Sequence, residues 1–364
     1  MRWLHLWLLV LGLAGCSPPE PWRVGFLGGV SGRVADLGIA GRNGVQLAVE
    51  MRNAAGGVRG RRIELLVEDD RQDPEVAVQA MRRLLEQGVV AIVGPMTSSI
   101  AMAVLPLANE AHRVLLSPTA TSNALTGKDD YFLRIAAATR SNAKTSADYH
   151  FDGKGLRRMA AIYDTRNRAF TEDWLAVYRE AFAARGGDVI AAIEFTSSDE
   201  LHFTELAQRI LATRPDGILL LANSVDAAML LQQIRKLAPE IVVSGSEWAA
   251  TERFLELAGK AAEGFLTAQF FERESGNPAY VAFRHAYRER YGIEPGFAGT
   301  HAFDAANLLF DALERQPDNV PLKEVLASGK FAGVQSEIVF DAFGDVARPT
   351  FITTVSGGRF VAVR

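Results

Sequence analysis

An α/β protein with two parallel-sheet lobes is what the sequence predicts, and three observations carry that prediction. From residue 22 onward, short apolar runs of strand length alternate with stretches of helical periodicity, the pattern of parallel sheets with crossover helices. The series runs through once by about residue 136 and restarts near residue 159, so a sheet is expected twice. At 364 residues, 48% hydrophobic and 23% charged, the chain is long enough to bury two cores.

The first series opens with a strand over 22–27, a glycine-rich turn at Gly28, Gly29 and Gly32, and a helix over 35–53. A second strand, 62–67, ends at Glu68-Asp69-Asp70, and Pro74 suits the first turn of a helix reaching residue 87. Apolar runs at 89–93 and 114–116 read as buried strands, with helical spacing over 100–111 between them and a strand at 131–136 leaving the sheet. The second series places strands at 159–163, 189–195, 218–221 and 241–243, with helices over 171–185, 201–213 and 225–237. A strand at 265–270, helices at 278–291 and 300–315, and strands at 336–340, 350–355 and 360–363 complete the chain.

Two hydroxyl-bearing segments follow the buried strands of the first series: Gly94-Pro95-Met96-Thr97-Ser98-Ser99 and Ser117-Pro118-Thr119-Ala120-Thr121. The carboxyl edge of an open α/β sheet is where ligands bind. Free backbone N–H groups at a helix start favour an anion, and hydroxyls add directed donors. A small carboxylate suits such a place, although Thr97, Ser98 and Thr121 read equally as helix caps and turn residues. The Gly28-Gly29 turn lacks full G-x-G-x-x-G spacing, which argues against a dinucleotide. No nucleophile elbow or Ser–His–Asp pattern accompanies Ser98, and Asp69-Asp70-Arg71 reads as a strand-end turn, so no enzyme is expected. Six scattered histidines give no metal spacing, and neither metal nor cofactor is expected. A formal charge of −4 without a basic block argues against nucleic acid.

The single cysteine is positioned by the N-terminus. Arg2, the apolar stretch 3–13 and Leu13-Ala14-Gly15-Cys16 outline a secretory signal, shorter than the ~20 apolar residues of a membrane span. Leu13 to Cys16 resembles the lipobox of bacterial lipoproteins, which implies acylation of Cys16. Ser17-Pro18-Pro19-Glu20-Pro21 then forms a tether of ~15 Å at about 3.1 Å per residue. The protein is expected outside the cytoplasm, held to a membrane surface.

Further motifs occur in order: Gly28 to Gly38, Gly44-Val45-Gln46-Leu47-Ala48-Val49-Glu50, the Gly56-Gly57-Val58-Arg59-Gly60 turn, Glu68-Asp69-Asp70 with Asp73-Pro74, Gly94-Pro95 with Ser98, and Ser117-Pro118 with Ala120-Thr121. With this spacing the mature chain resembles the branched-chain amino acid binding proteins of bacterial ABC transporters, the type I periplasmic binding proteins. The resemblance implies two Rossmann-like lobes joined by three crossings, near 134–138, 267–272 and 333–338, with a ligand in the cleft. It divides the chain into a signal (1–15), a lipidated tether (16–22), a first lobe (23–136 with 272–333) and a second (137–271 with 334–364). It implies carboxylate contacts at Ser98 and Thr121 through hydroxyl and backbone N–H, an ammonium contact at the Thr119 carbonyl, and an ammonium-binding carboxylate at Glu247. Thr97 belongs to the same cluster. Phe170 falls where an aromatic wall is expected, whereas Leu37 and Asn223 replace aromatics; Trp248 and Phe303 are further candidate walls. The implied partners are an amino acid or related small molecule and a membrane permease, and a monomer is expected. A sensing module of the same fold, taking an amide, urea or short peptide, is the alternative.

Overall fold

The computed structural model describes residues 19–363, so the signal stretch and Cys16 lie outside the described residues. The first sheet is built from β1 (Trp22–Gly28), β2 (Ile63–Asp69), β3 (Ala91–Val93), β4 (Val114–Ser117) and β5 (Phe132–Arg134). All four pairings are parallel, in the order β2-β1-β3-β4-β5. Its crossovers are α1 (Asp36–Ala54), α2 (Pro74–Glu86) and α3 (Ser98–Glu110). The start of α2 follows from its sequence: Asp73 accepts from the N–H groups of Glu75 and Val76 at 2.9 and 3.0 Å, and Pro74 needs no partner at the first position.

The second lobe begins with α4 (Thr139–Asp148) and continues through β6 (Arg158–Asp164), α5 (Arg168–Ala184), β7 (Asp188–Phe195), α6 (Phe203–Leu211), β8 (Gly217–Leu221), α7 (Ser224–Leu237), β9 (Val242–Gly245), α8 (Glu252–Ala258) and β10 (Leu266–Gln269). The chain then gives α9 (Pro278–Tyr291), α10 (Phe297–Arg315), α11 (Leu322–Ser328), β11 (Lys330–Ala332), β12 (Glu337–Val339), β13 (Phe351–Ser356) and β14 (Arg359–Ala362). The second sheet has the order β14-β13-β10-β9-β8-β6-β7, with β13 and β14 antiparallel to their neighbours.

The helix α4 was not expected, because Thr-Arg-Ser-Asn-Ala-Lys-Thr-Ser-Ala-Asp offers no apolar stripe. The strand expected at 336–340 forms as β12 but pairs only with β11, outside both large sheets. Its neighbourhood is tied to the first lobe: Asp304 of α10 accepts from Val334 N–H at 2.9 Å, and Asp345 lies 2.7 Å from Arg134, which is fully buried at the end of β5. The chain therefore returns to the second sheet through 347–350, where Arg348 Nε donates to the Ile135 carbonyl at 2.7 Å, and not at 333–338.

Helix α10 is central, with fifteen of nineteen residues buried. It packs on α1 with Gly44 against Gly299: a Cβ on Gly44 would lie 2.1 Å from the Gly299 carbonyl oxygen. The largest buried cluster runs from β1 and α10 into α5 and β6 without a break, so the lobes are packed together.

Candidate functional site

Strand order reverses between β1 and β3 in the first sheet and between β6 and β8 in the second. The carboxyl ends at such a reversal form a crevice, and the two crevices face each other. The segment after β1 supplies Leu37 in the first turn of α1, that after β3 supplies Thr97 and Ser98 at the start of α3, and the loop after β4 supplies Thr119 and Thr121. From the opposite side come Asn167 and Phe170 after β6, and Glu247 with Trp248 after β9.

The lobes touch along this line. Asn167 Oδ1 accepts from Ser99 N–H at 3.1 Å, and Ser99 Oγ accepts from Ala169 N–H at 3.1 Å. Asp173 accepts from Asn123 N–H at 2.7 Å. Asp36 accepts from the hydroxyls of Ser224 and Thr251, both at 2.7 Å. These contacts make the state a closed one.

Between the lobes, Leu37, Met96, Thr97, Ser98, Thr119, Asn167, Phe170, Glu247, Trp248 and Phe297 line a small, partly open cavity. Six of the eight expected ligand-site residues thus meet at one cavity. Thr121 lines a small neighbouring space on the hinge side, which shares Thr119, Glu247 and Phe297 with the first. Asn223 lines neither. Its Oδ1 accepts from Asp226 N–H at 2.9 Å and its amide reaches Asp226 Oδ2 at 2.7 Å, so the side chain is used as the cap of α7. Trp248 walls the first cavity, edge-on to Phe170 with ring centroids 5.9 Å apart. Phe303 packs on Phe283 instead, 4.5 Å between centroids.

The polar groups divide into occupied and free. Ser98 Oγ accepts from the N–H groups of Thr121 and Ser122, each at 3.2 Å. The Thr121 N–H expected to meet a ligand is therefore spent inside the protein, while the Ser98 hydroxyl proton remains available. Thr119 Oγ1 donates to the Met96 carbonyl at 2.6 Å and pins the two loops together. Thr97 precedes α3 without capping it through its side chain, which leaves its hydroxyl facing the cavity at a helix N-terminus.

Glu247 is 8% exposed. Thr121 Oγ1 donates to one carboxylate oxygen at 3.5 Å from the first lobe, and Trp174 Nε1 donates to the other at 3.2 Å from the second. Burial pushes the carboxyl above its ordinary value, against the pull of its own backbone N–H and of Asn142, Trp174 and Thr121. Asn142 Nδ2 lies beside it without a well-aligned hydrogen bond. Neither cavity lining contains a lysine or arginine. The two cavity linings therefore present one buried carboxylate, several neutral donors and no lysine or arginine.

Asn142, Asn167, Trp174, Phe297 and His301 are the residues that reasoning from the sequence missed. Trp174 left a signal, since Phe170, Trp174, Tyr178 and Phe182 recur every four residues and share one face of α5. Asn142 lies on the unforeseen α4 and Asn167 in a turn, and neither left one.

The sequence matches the family described as periplasmic binding protein over residues 21–359. The chain belongs to the periplasmic binding protein family. Among its relatives are the Leu/Ile/Val-binding protein homolog 3 of Brucella melitensis, 22% identical over 90% of this chain and 89% of that one, and the leucine-specific-binding protein of Salmonella typhimurium, 25% identical over 88% and 87%. Among solved structures, the branched-chain amino acid transporter substrate-binding protein of Streptococcus pneumoniae in complex with isoleucine has a TM-score of 0.87 at 25% identity, covering 94% of this chain and 98% of that one. A solute-binding protein of R. palustris in complex with benzoate has a TM-score of 0.86 at 21% identity, covering 94% and 95%. The fold of this periplasmic binding protein is thus type I, with two α/β lobes and the cleft between them.

Proposed function

We propose that this protein is the extracytoplasmic receptor of an ABC transporter and captures an α-amino acid between its lobes. The observation that carries the reading is Glu247: a buried carboxylate held from both lobes, beside a cavity whose lining contains no lysine or arginine. An ammonium satisfies that carboxylate, while a benzoate-like anion has no fixed cation to meet. The ligand carboxylate is placed at the α3 N-terminus, on the hydroxyls of Thr97 and Ser98 with Thr121 behind them. Leu37, Phe170, Trp248 and Phe297 form apolar walls around the bound ligand.

Four charge-assisted hydrogen bonds contribute roughly 6–12 kcal/mol at ~1.5–3 each. Association costs about 4–15 kcal/mol, so apolar burial in the cavity must supply much of a micromolar affinity, which needs about −8 kcal/mol. The polar groups then set the ligand class and the apolar walls its identity. Because those groups come from different lobes, a ligand stabilises the closed state and shifts the open–closed equilibrium.

Membership of a family described as periplasmic supports export from the cytoplasm, likeness to a transporter's substrate-binding protein supports a permease partner, and Cys16 is the proposed site of a lipid anchor. The first lobe is taken as 23–136 with 272 to about 346, and the second as the remainder. A thermal-shift screen of the twenty amino acids, with benzoate as a contrasting ligand, tests the reading. An amino acid should raise the melting temperature and benzoate should not; stabilisation by benzoate alone would replace it with an aromatic-acid receptor.

A further inference from the structure

The hinge-side space has a polar lining side chain whose hydrogen-bonding capacity is not taken up by the protein. His301, on the second turn of α10, is 3% exposed and contributes to that lining with Gln269, Phe270 and Phe271. Among the described residues neither of its ring nitrogens makes a hydrogen bond, and Nδ1 is fully buried. A buried polar group without a partner is rare in native structures and marks a place where a ligand or water completes the site. Another buried histidine, His150, is satisfied, with Nδ1 2.8 Å from the Tyr178 hydroxyl.

The neighbours of His301 in this space are engaged. Gln269 Nε2 donates to Thr353 Oγ1 at 2.7 Å and its Oε1 accepts from Arg273 at 3.3 Å. Thr119 and Thr121 are committed to Met96 and Glu247. The imidazole is held between aromatic rings: it stacks on Phe270 at 4.9 Å and 9°, and meets Phe271 and Phe297 edge-on at 6.0 Å. Burial first, and then the nearby Arg348 charge, keep it well below its ordinary value, so it is neutral; Nδ1 is sealed from the space, and the nitrogen left to meet a ligand is Nε2, which donates or accepts according to the tautomer.

We propose that His301 is a specificity-determining residue, and that the ligand is an amino acid whose side chain carries an uncharged hydrogen-bonding group into the hinge-side space. This rests on the amino-acid reading above. Both spaces open on Thr119, Glu247 and Phe297, so a ligand anchored on Glu247 reaches either. An apolar side chain would leave the imidazole unpaired, whereas an amide or hydroxyl pairs it, and sites with buried polar groups discriminate strongly against analogues lacking the partner.

Calorimetry on the full chain with near-isosteric pairs tests this: leucine with asparagine, valine with threonine, phenylalanine with tyrosine. The expected result is that in at least one pair the polar member binds tenfold or more tightly, and that His301→Phe abolishes the preference while leaving the apolar member within threefold. Phenylalanine keeps the planar stack on Phe270. A second measurement, on the unaltered protein, is the chemical shift of the His301 ring nitrogens, which should move on adding the polar member and not on adding its apolar partner. If the apolar member binds at least as tightly in all three pairs, or the preference survives His301→Phe, or the nitrogens do not respond, His301 is not a ligand contact. If no amino acid binds and Glu247→Gln changes nothing, the amino-acid reading itself falls, and this inference with it.

Discussion

Glu247 is a carboxylate in a position where charge is costly, and its protonation is the most direct handle on the site. Burial raises its pKa in the ligand-free closed state, so the folded chain holds this proton more tightly than the unfolded chain does. Stability from that group is complete below the ordinary carboxylate value and is lost as pH rises through the folded value. A bound ammonium reverses the balance by favouring the ionised form. Binding should therefore release a proton, and affinity should fall as pH drops below the raised pKa; calorimetry in buffers of different ionisation enthalpy reads both. Glu247→Gln should weaken an amino-acid ligand by about 2–5 kcal/mol while leaving the ligand-free protein at neutral pH at least as stable. A variant that binds as well as the original would remove Glu247 from the site. The residue was legible through the family resemblance; its place after the short apolar strand 241–243, in Gly245-Ser246-Glu247, agrees with a sheet edge but on its own reads equally as a solvated loop charge. Asn223 misled because a strand-end position says where a side chain starts and not what it bonds, and here the α7 terminus claims it. His301 was a lone histidine in an apolar helix, which carries no pattern at all.

Helix α10 shows how elements are held to the site. Its close approach to α1 depends on Gly44, because a methyl there would sit 2.1 Å from a backbone oxygen that cannot swing aside. Gly44→Ala should destabilise the protein by about 1–3 kcal/mol or more, as overpacking does, measurable as a lowered denaturant midpoint. A shift under 0.5 kcal/mol would mean the helices separate freely. On the same helix, Asp304 holds Val334 through its N–H, and burial pushes its carboxyl up to about 7. In the unfolded chain it ionises near the ordinary value, so between pH 5 and pH 8 the folded protein loses about 2–3 kcal/mol through this group. Asp304→Asn removes that loss: relative to the original, the variant should gain stability by this amount between pH 5 and pH 8. Comparing the two proteins cancels the opposite contributions of His150 and His301, both held neutral by burial. Elements with strong periodicity, such as α5, α7 and α9, were legible within a few residues. Helix α4 and strand β11 were not. The first is polar along its length and is stabilised by packing on α5 and β10; the second is three residues long, pairs only with β12, and is followed by Val334, which the remote Asp304 holds.

At the scale of the molecule, the question is what holds the lobes together besides a ligand. The restart of the strand series made two lobes legible, yet nothing local predicts which side chains meet across a cleft, since the partners lie 50 to 215 residues apart. Arg33, in the loop after β1, is the strongest such link. Its Nη1 lies 2.7 Å from Asp226 Oδ1, a carboxylate with no exposed side-chain surface, and its Nη2 donates to Ser197 Oγ at 3.0 Å. Arg33 lines neither ligand cavity, so its effect on binding can only run through closure. The apparent affinity of a receptor equals its intrinsic affinity scaled by the fraction in the competent state. A partly exposed ion pair contributes about 1 kcal/mol, so Arg33→Met should weaken ligand binding roughly fivefold without touching the ligand. It should also enlarge the ligand-free radius of gyration in small-angle scattering, and high salt should move the original protein in the same direction. An unchanged radius together with unchanged affinity would mean that closure is set by the ligand and the packed hinge alone, with Arg33 only resting in the gap.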